Sequence, residues 1–218
     1  MSDTARDRIL ARLRRAPRDE APRPAVEPPA PPAERWERVE RLKTLLEAMR
    51  AEVRQVTETS WVEALGDVLR TRGIETLLYA PGTPVGQAVE AAWAGGPDGR
   101  PGLVPYASAA EQLKDRIFTV DAAVTAAAGA VADTGALILR PSAAEPRLMS
   151  LVPPVHVAVL RADTVFASLT EAMRAGRWSE DMPTNLVLVS GPSKTADIEL
   201  ILAFGVHGPK ELIVLIVD

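Results

Sequence analysis

Residues 212–217 read Leu212-Ile213-Val214-Leu215-Ile216-Val217, six apolar side chains in a row. A half-exposed strand alternates apolar and polar residues, so a continuous run of this length predicts a strand buried on both faces, central or well covered. Leu186 to Val189 reads as a further strand of this kind, and Thr76-Leu77-Leu78-Tyr79 as another strand. Between these runs lie segments of helical period. Val39, Leu42, Leu45, Leu46, Met49 and Val53 recur at that spacing, and Trp61, Leu65, Val68 and Leu69 repeat it after a break at Thr57 to Ser60. Two helices thus lead into the strand at Thr76. Pro81-Gly82 ends that strand, a helix runs from Pro84 to Trp93, Gly95 to Gly99 form a loop, and Leu103-Val104 is a short strand. A helix over 108–116 follows. The alternation predicts an α/β domain with a mostly parallel sheet flanked by helices.

The middle of the chain changes character. Asp121 to Ala126, Gly129 to Ala132, Ala136 to Leu139 and Val155 to Leu160 are closely spaced strands joined by turn residues, so a smaller antiparallel part is expected here. Thr164 to Arg174 reads as the next helix. Ahead of the α/β domain, taken as residues 34–218, come a short helical arm over 1–16 and a proline-rich linker over 17–33. The arm sets Ile9, Leu10 and Leu13 against Arg6, Arg8, Arg12, Arg14 and Arg15, and reads as a packing helix or as a basic arm for a partner or nucleic acid. The linker carries seven prolines from Pro17 to Pro32 and favours extended backbone.

Composition excludes several classes. A net charge of −4 with mixed signs along the body gives no cationic field to hold a polyanion, and 4% aromatics argue against base-stacking platforms. Zero cysteines exclude disulfides, thiolate zinc sites and iron–sulfur ligation by this chain. No run approaches the roughly 18 apolar residues of a spanning helix, so a cytoplasmic location without membrane contact is expected. The two histidines, far apart in sequence and without a carboxylate cluster, predict no metal site.

The candidate site is the segment Ser190-Gly191-Pro192-Ser193-Lys194-Thr195-Ala196-Asp197-Ile198-Glu199, followed by Gly205-Val206-His207-Gly208-Pro209-Lys210. It follows a strand expected to be buried, and ligands in open α/β sheets collect beyond the carboxyl ends of strands. Gly191 allows close backbone approach, Ser190, Ser193 and Thr195 offer hydroxyls, and Lys194 adds a cation, a set suited to phosphate or carboxylate. The same residues read equally as a strand-to-helix turn whose hydroxyls cap the helix. Gly205 and Gly208 bracket His207, the better acid/base candidate of the two histidines; Asp197 and Glu199 are the candidate carboxylates. His156, among Pro153-Pro154-Val155 and Val157-Ala158-Val159, reads as a satisfied sheet histidine. Asp133-Thr134-Gly135 is a turn by composition, or a ligand contact.

Four segments taken together resemble the lactate utilization protein C family of the LUD-domain group. They are Ala132 to Leu139, Leu151 to Val159, Ser190 to Glu199 and Gly205 to Lys210. The resemblance covers roughly residues 34–218. It implies a fold similar to the NagB/RpiA/CoA-transferase group, and a role in oxidising L-lactate to pyruvate with two partner proteins that carry iron–sulfur clusters. No intrinsic cofactor is then expected, in keeping with the lack of cysteine. Asp133 stands where members of that family often carry Glu, which keeps the charge and shortens the reach. The resemblance favours an accessory subunit with a ligand-binding loop surface. The competing expectation, from the fold analogy and the Gly191–Thr195 loop, is a free-standing enzyme or binding protein for a phosphorylated or CoA-linked small molecule.

Overall fold

The computed structural model describes residues 5–15, 34–94, 99–106, 116–196, 202–204 and 208–218, with backbone alone for 194–196 and 202–204. Contacts divide the chain into two units, Met1–Pro32 and Ala33–Asp218. In the first, α1 (Ala5–Arg15) buries none of its residues. The expected linker over 17–33, the helix over 108–115 and the loop over 95–98 lie outside the described residues.

The second unit is built on a six-stranded, wholly parallel sheet. Its strands are β1 (Glu52–Val56), β2 (Thr76–Tyr79), β3 (Gly102–Pro105), β4 (Ala122–Ala126), β7 (Val155–Arg161) and β12 (Glu211–Val217), in the order β1-β12-β7-β4-β2-β3. The run 212–217 is the interior strand its composition predicts: β12 pairs with β1 on one side and β7 on the other, and Leu212 to Val217 are all buried. Alternate residues of β12 feed two cores. Ile213, Leu215 and Val217 pack with Trp61, Leu65 and Leu69 of α3 (Trp61–Thr71) and Val89 of α4 (Pro84–Trp93). Leu212, Val214 and Ile216 face Val39, Leu42 and Leu46 of α2 (Arg35–Ala48), together with Ala130, Leu137 and Leu139.

Those last residues belong to a second sheet of order β8-β5-β6-β9, made of β5 (Gly129–Val131), β6 (Ala136–Leu139), β8 (Val165–Phe166) and β9 (Val187–Val189). β5 and β9 run antiparallel to β6, while β8 is parallel to β5. Antiparallel pairing therefore enters at 129–139 as expected, whereas β4 and β7 belong to the parallel sheet. A third pair, β10 (Lys194–Ala196) with β11 (Leu202–Phe204), is antiparallel.

Three expectations are corrected. Val53 is not helical: α2 ends at Ala48, Arg50 turns to φ 70, the Ala51 N–H closes on the Leu46 carbonyl, and β1 begins. A strand therefore precedes the one at Thr76. The helix expected over Thr164–Arg174 is a 3-10 turn, strand β8, and then α5 (Leu169–Ala175). Ser168 caps α5 by accepting the Glu171 N–H, and the Glu171 carboxylate accepts from Ala167 N just ahead of the cap, so the helix starts at this Ser. β9 is not buried on both faces either; it is the edge of the small sheet and Leu188 is 51% exposed.

Candidate functional site

The edge position of β9 alters the setting of the Ser190–Thr195 segment. It leaves an antiparallel strand of the small sheet, not the carboxyl end of a parallel strand, and leads into β10 rather than a helix. Neither the switch-point argument nor the helix-capping reading describes it. What positions the segment is contact. Ser193 donates its N–H to the Pro209 carbonyl at 2.9 Å, and Gly208 lies so near that a methyl on it would stand 3.1 Å from Ser193 Cβ. The amides of Lys210 and Glu211 both reach the Pro154 carbonyl, at 2.8 and 3.1 Å, which ties the 208–210 turn to the entrance of β7.

These segments wall a cleft of about 280 Å³ at the amino ends of β7 and β12, with β9 along one side. Ser190, Gly191, Ser193 and Gly208 line it, as the sequence suggests, together with His156 and Ser150, which it did not assign to the site. Asp197, Glu199, Gly205 and His207 lie outside the described residues, as do the side chains of Lys194 and Thr195. Asp133, Thr134 and Gly135 are not in the lining. Their turn rests on α2: Asp133 faces Arg41 across 3.4 Å, and a methyl at Gly135 would stand 2.5 Å from Leu45 Cβ. Gly191 also touches α2, since a methyl there would stand 2.9 Å from Met49 Cβ.

His156 is fully buried on β7. Its Nε2 pairs with Thr125 Oγ1 of β4 at 2.8 Å, whereas Nδ1 has no hydrogen-bond partner among the described residues. The expected satisfied sheet histidine is thus half satisfied. Burial pulls its pKa down to about 4, so the ring is neutral near pH 7. An orphaned nitrogen in a buried ring forfeits about 1–3 kcal/mol. A polar group that reached Nδ1 would recover that loss, and His156 is among the residues that line the cleft.

Thr125 also borders a second, smaller cavity at the carboxyl end of β4, lined by Glu145, Arg140, Arg147 and Ser150. Both Glu145 oxygens accept the Ala126 N–H, at 3.1 and 3.2 Å. Burial nonetheless pushes the Glu145 carboxyl up to about 7, against the lowering effect of that backbone bond. Sequence reading passed over Glu145 because an isolated Glu in a Ser-Ala-Ala-Glu-Pro loop has no motif; only the fold buries it. Among the described residues no group of three or more His, Asp or Glu could hold a metal ion.

The sequence profile of the LUD domain matches residues 39–217. The chain belongs to the LUD-domain family. This LUD domain is 36% identical to an uncharacterized protein of Neisseria meningitidis serogroup B, over 97% of this chain and 93% of that one. It is 39% identical to lactate utilization protein C of Deinococcus radiodurans over 44% of this chain and 46% of the relative. To lactate utilization protein C 1 of Bacillus mycoides it is 27% identical, covering 79% and 75%. The LUD domain also shares its fold with a solved structure, a DUF162 family protein from Deinococcus radiodurans. That match has a TM-score of 0.63 at 20% identity, over 86% of this chain and all of the other. Among the described residues no helix is long and apolar enough to cross a membrane.

Proposed function

We propose that this LUD-domain chain serves in lactate utilization, as the subunit that holds a small ligand while partner proteins carrying iron–sulfur clusters move the electrons. The observation that supports this reading is the convergence of Ser190–Ser193 and Gly208 on one cleft floored by a buried, half-partnered histidine. Apolar walls with a few inward polar groups are the usual make-up of a small-molecule site. A relative matched over 79% of this chain carries the name lactate utilization protein C 1, and another matched over 44% the name lactate utilization protein C, which supports the process. The proposed division of labour is in keeping with a chain that has no cysteine with which to hold a cluster of its own.

The test is reconstitution of lactate oxidation from the iron–sulfur partners with and without this chain. Loss of the reaction without it is expected, and an unchanged rate overturns the proposal. Asp197→Asn and His207→Ala, at the candidate carboxylate and imidazole of the loop, are expected to lower the rate while leaving the domain folded.

A further inference from the structure

The cleft and the small cavity at the end of β4 both touch Ser150, and Thr125 reaches from the cavity to His156 on the cleft floor. The cavity measures about 10 Å³, roughly the space one water needs, and both Thr125 and Glu145 line it. A hydroxyl can accept and donate at once, and a neutral imidazole can accept at one nitrogen while donating from the other.

We propose that Glu145, Thr125 and His156 form a proton relay that joins the end of β4 to the floor of the Ser190–Ser193 cleft. It serves a ligand whose reaction releases or takes up a proton at a hydroxyl or carbonyl oxygen. The inference rests on the cleft being the ligand site. In the forward direction a ligand hydroxyl gives its proton to His156 Nδ1 and the electron pair stays on the ligand oxygen. The Nε2 proton moves to Thr125 Oγ1, and the threonine's own proton passes through one water to the Glu145 carboxylate. The ring ends neutral as the opposite tautomer, Glu145 ends neutral, and the negative charge has moved from Glu145 to the ligand oxygen. The imidazole never has to carry charge, which suits a ring this deeply buried. The Glu145 carboxyl, held near 7, can both receive and return the proton at neutral pH. The charged groups around it are Arg140 and Arg147 of the same cavity, and Asp181, which pairs with Arg140 at 3.0 Å; β4 contributes only Thr125 and Ala126.

The relay fixes the histidine tautomer by the charge on Glu145. With Glu145 ionised, Thr125 donates toward it and accepts from Nε2–H. With Glu145 neutral, the chain of donors reverses and the proton sits on Nδ1. Two histidines in the chain make this readable by nitrogen-15 labelling, with His207→Gln assigning the signals. The expected result is a change of His156 tautomer with a midpoint near pH 7, abolished in Glu145→Gln and Thr125→Val and kept in Thr125→Ser. One tautomer throughout the range from about pH 5.5 to 8.5 overturns the relay. In the reconstituted reaction, Thr125→Val and Glu145→Gln are expected to slow lactate oxidation by about tenfold or more, with Thr125→Ser near wild type. Wild-type rates in both overturn its role in the reaction. If the whole chain proves dispensable, the proposed function fails, while the tautomer measurement still decides the relay.

Discussion

Gly135 and Leu45 stand closer than any side chain at position 135 would permit, with Gly135 at φ 62 and Leu45 Cβ 2.5 Å from where a methyl would be. The turn after β5 is therefore a seat for α2. Gly135→Ala combines backbone strain with overpacking and is expected to cost about 2–4 kcal/mol in urea unfolding. Asp133→Asn removes only an exposed ion pair with Arg41 and is expected to change stability by less than about 0.5 kcal/mol. Equal effects of the two would show that the turn is not held by this contact.

Glu145 and His156 pull the pH dependence of stability in opposite directions. Glu145 binds its proton more tightly in the folded state, so stability falls as pH rises from 4.5 to about 7. His156 binds its proton less tightly when folded, so stability rises with pH from about 4 to 6.5. Each effect is on the order of 3 kcal/mol over its window, and the two offset each other between 4.5 and 6.5. Glu145→Gln, which keeps an acceptor for the Ala126 N–H, is expected to unmask a stability that climbs steadily from about pH 4 to 6.5. Denaturant midpoints of the variant that fail to rise across that range would contradict the burial of His156.

Arg72, just beyond α3, joins two strands of the sheet. It pairs with Glu52 at the start of β1 and with Glu211 at the start of β12, the latter at 2.8 Å. Burial raises the Glu52 carboxyl, and the guanidinium groups of Arg72 and Arg54 more than reverse this, leaving its pKa below the ordinary value of 4.5. That stabilisation is present above 4.5 and is lost as pH falls through the lowered value. Arg72→Met leaves Glu52 with Arg54 alone and takes the guanidinium from Glu211, and is expected to destabilise by about 1–2 kcal/mol at neutral pH, less in high salt. Thermal unfolding at two ionic strengths checks both the sign and the screening.

Leu215 is fully buried in the middle of β12. Leu215→Asp places an unpaired charge in that core and is expected to cost more than about 4 kcal/mol, enough to leave no cooperative unfolding transition. A soluble variant with a wild-type circular dichroism melt would refute the interior placement of the strand.

The sequence was most legible where burial is continuous. Leu212 to Val217 identified the interior strand, and Pro84 to Trp93 matched α4 residue for residue. It was least legible where one residue redirects the chain. Arg50 breaks the helical period with a positive φ and converts Val53 from an apparent helix position to a strand residue, which no periodicity shows. Of the candidate segments, Ser190, Gly191, Ser193 and Gly208, legible as a polar, glycine-containing stretch, line the cleft. His156 and Glu145 were not legible in this way, because their character comes from burial: the same histidine on an exposed strand would be an ordinary one. Gly135 and Gly191 each also lie against a residue at the end of α2 or just beyond it, a packing contact that turn composition does not show.

The place of β12 bears on how the domain is made. Among the described strands β1 comes first in the chain and pairs only with β12, which comes last, so its hydrogen-bonding edge waits through the synthesis of everything between. Until residues 211–217 emerge, β7 and β1 are separate pieces, and the cores under α2 and α3 lack the alternate side chains that β12 supplies to each. The nascent chain must keep these surfaces from pairing with other chains for that interval. Completion of this sheet therefore waits for residues 211–217, and such long-range parallel pairing is intrinsically slow.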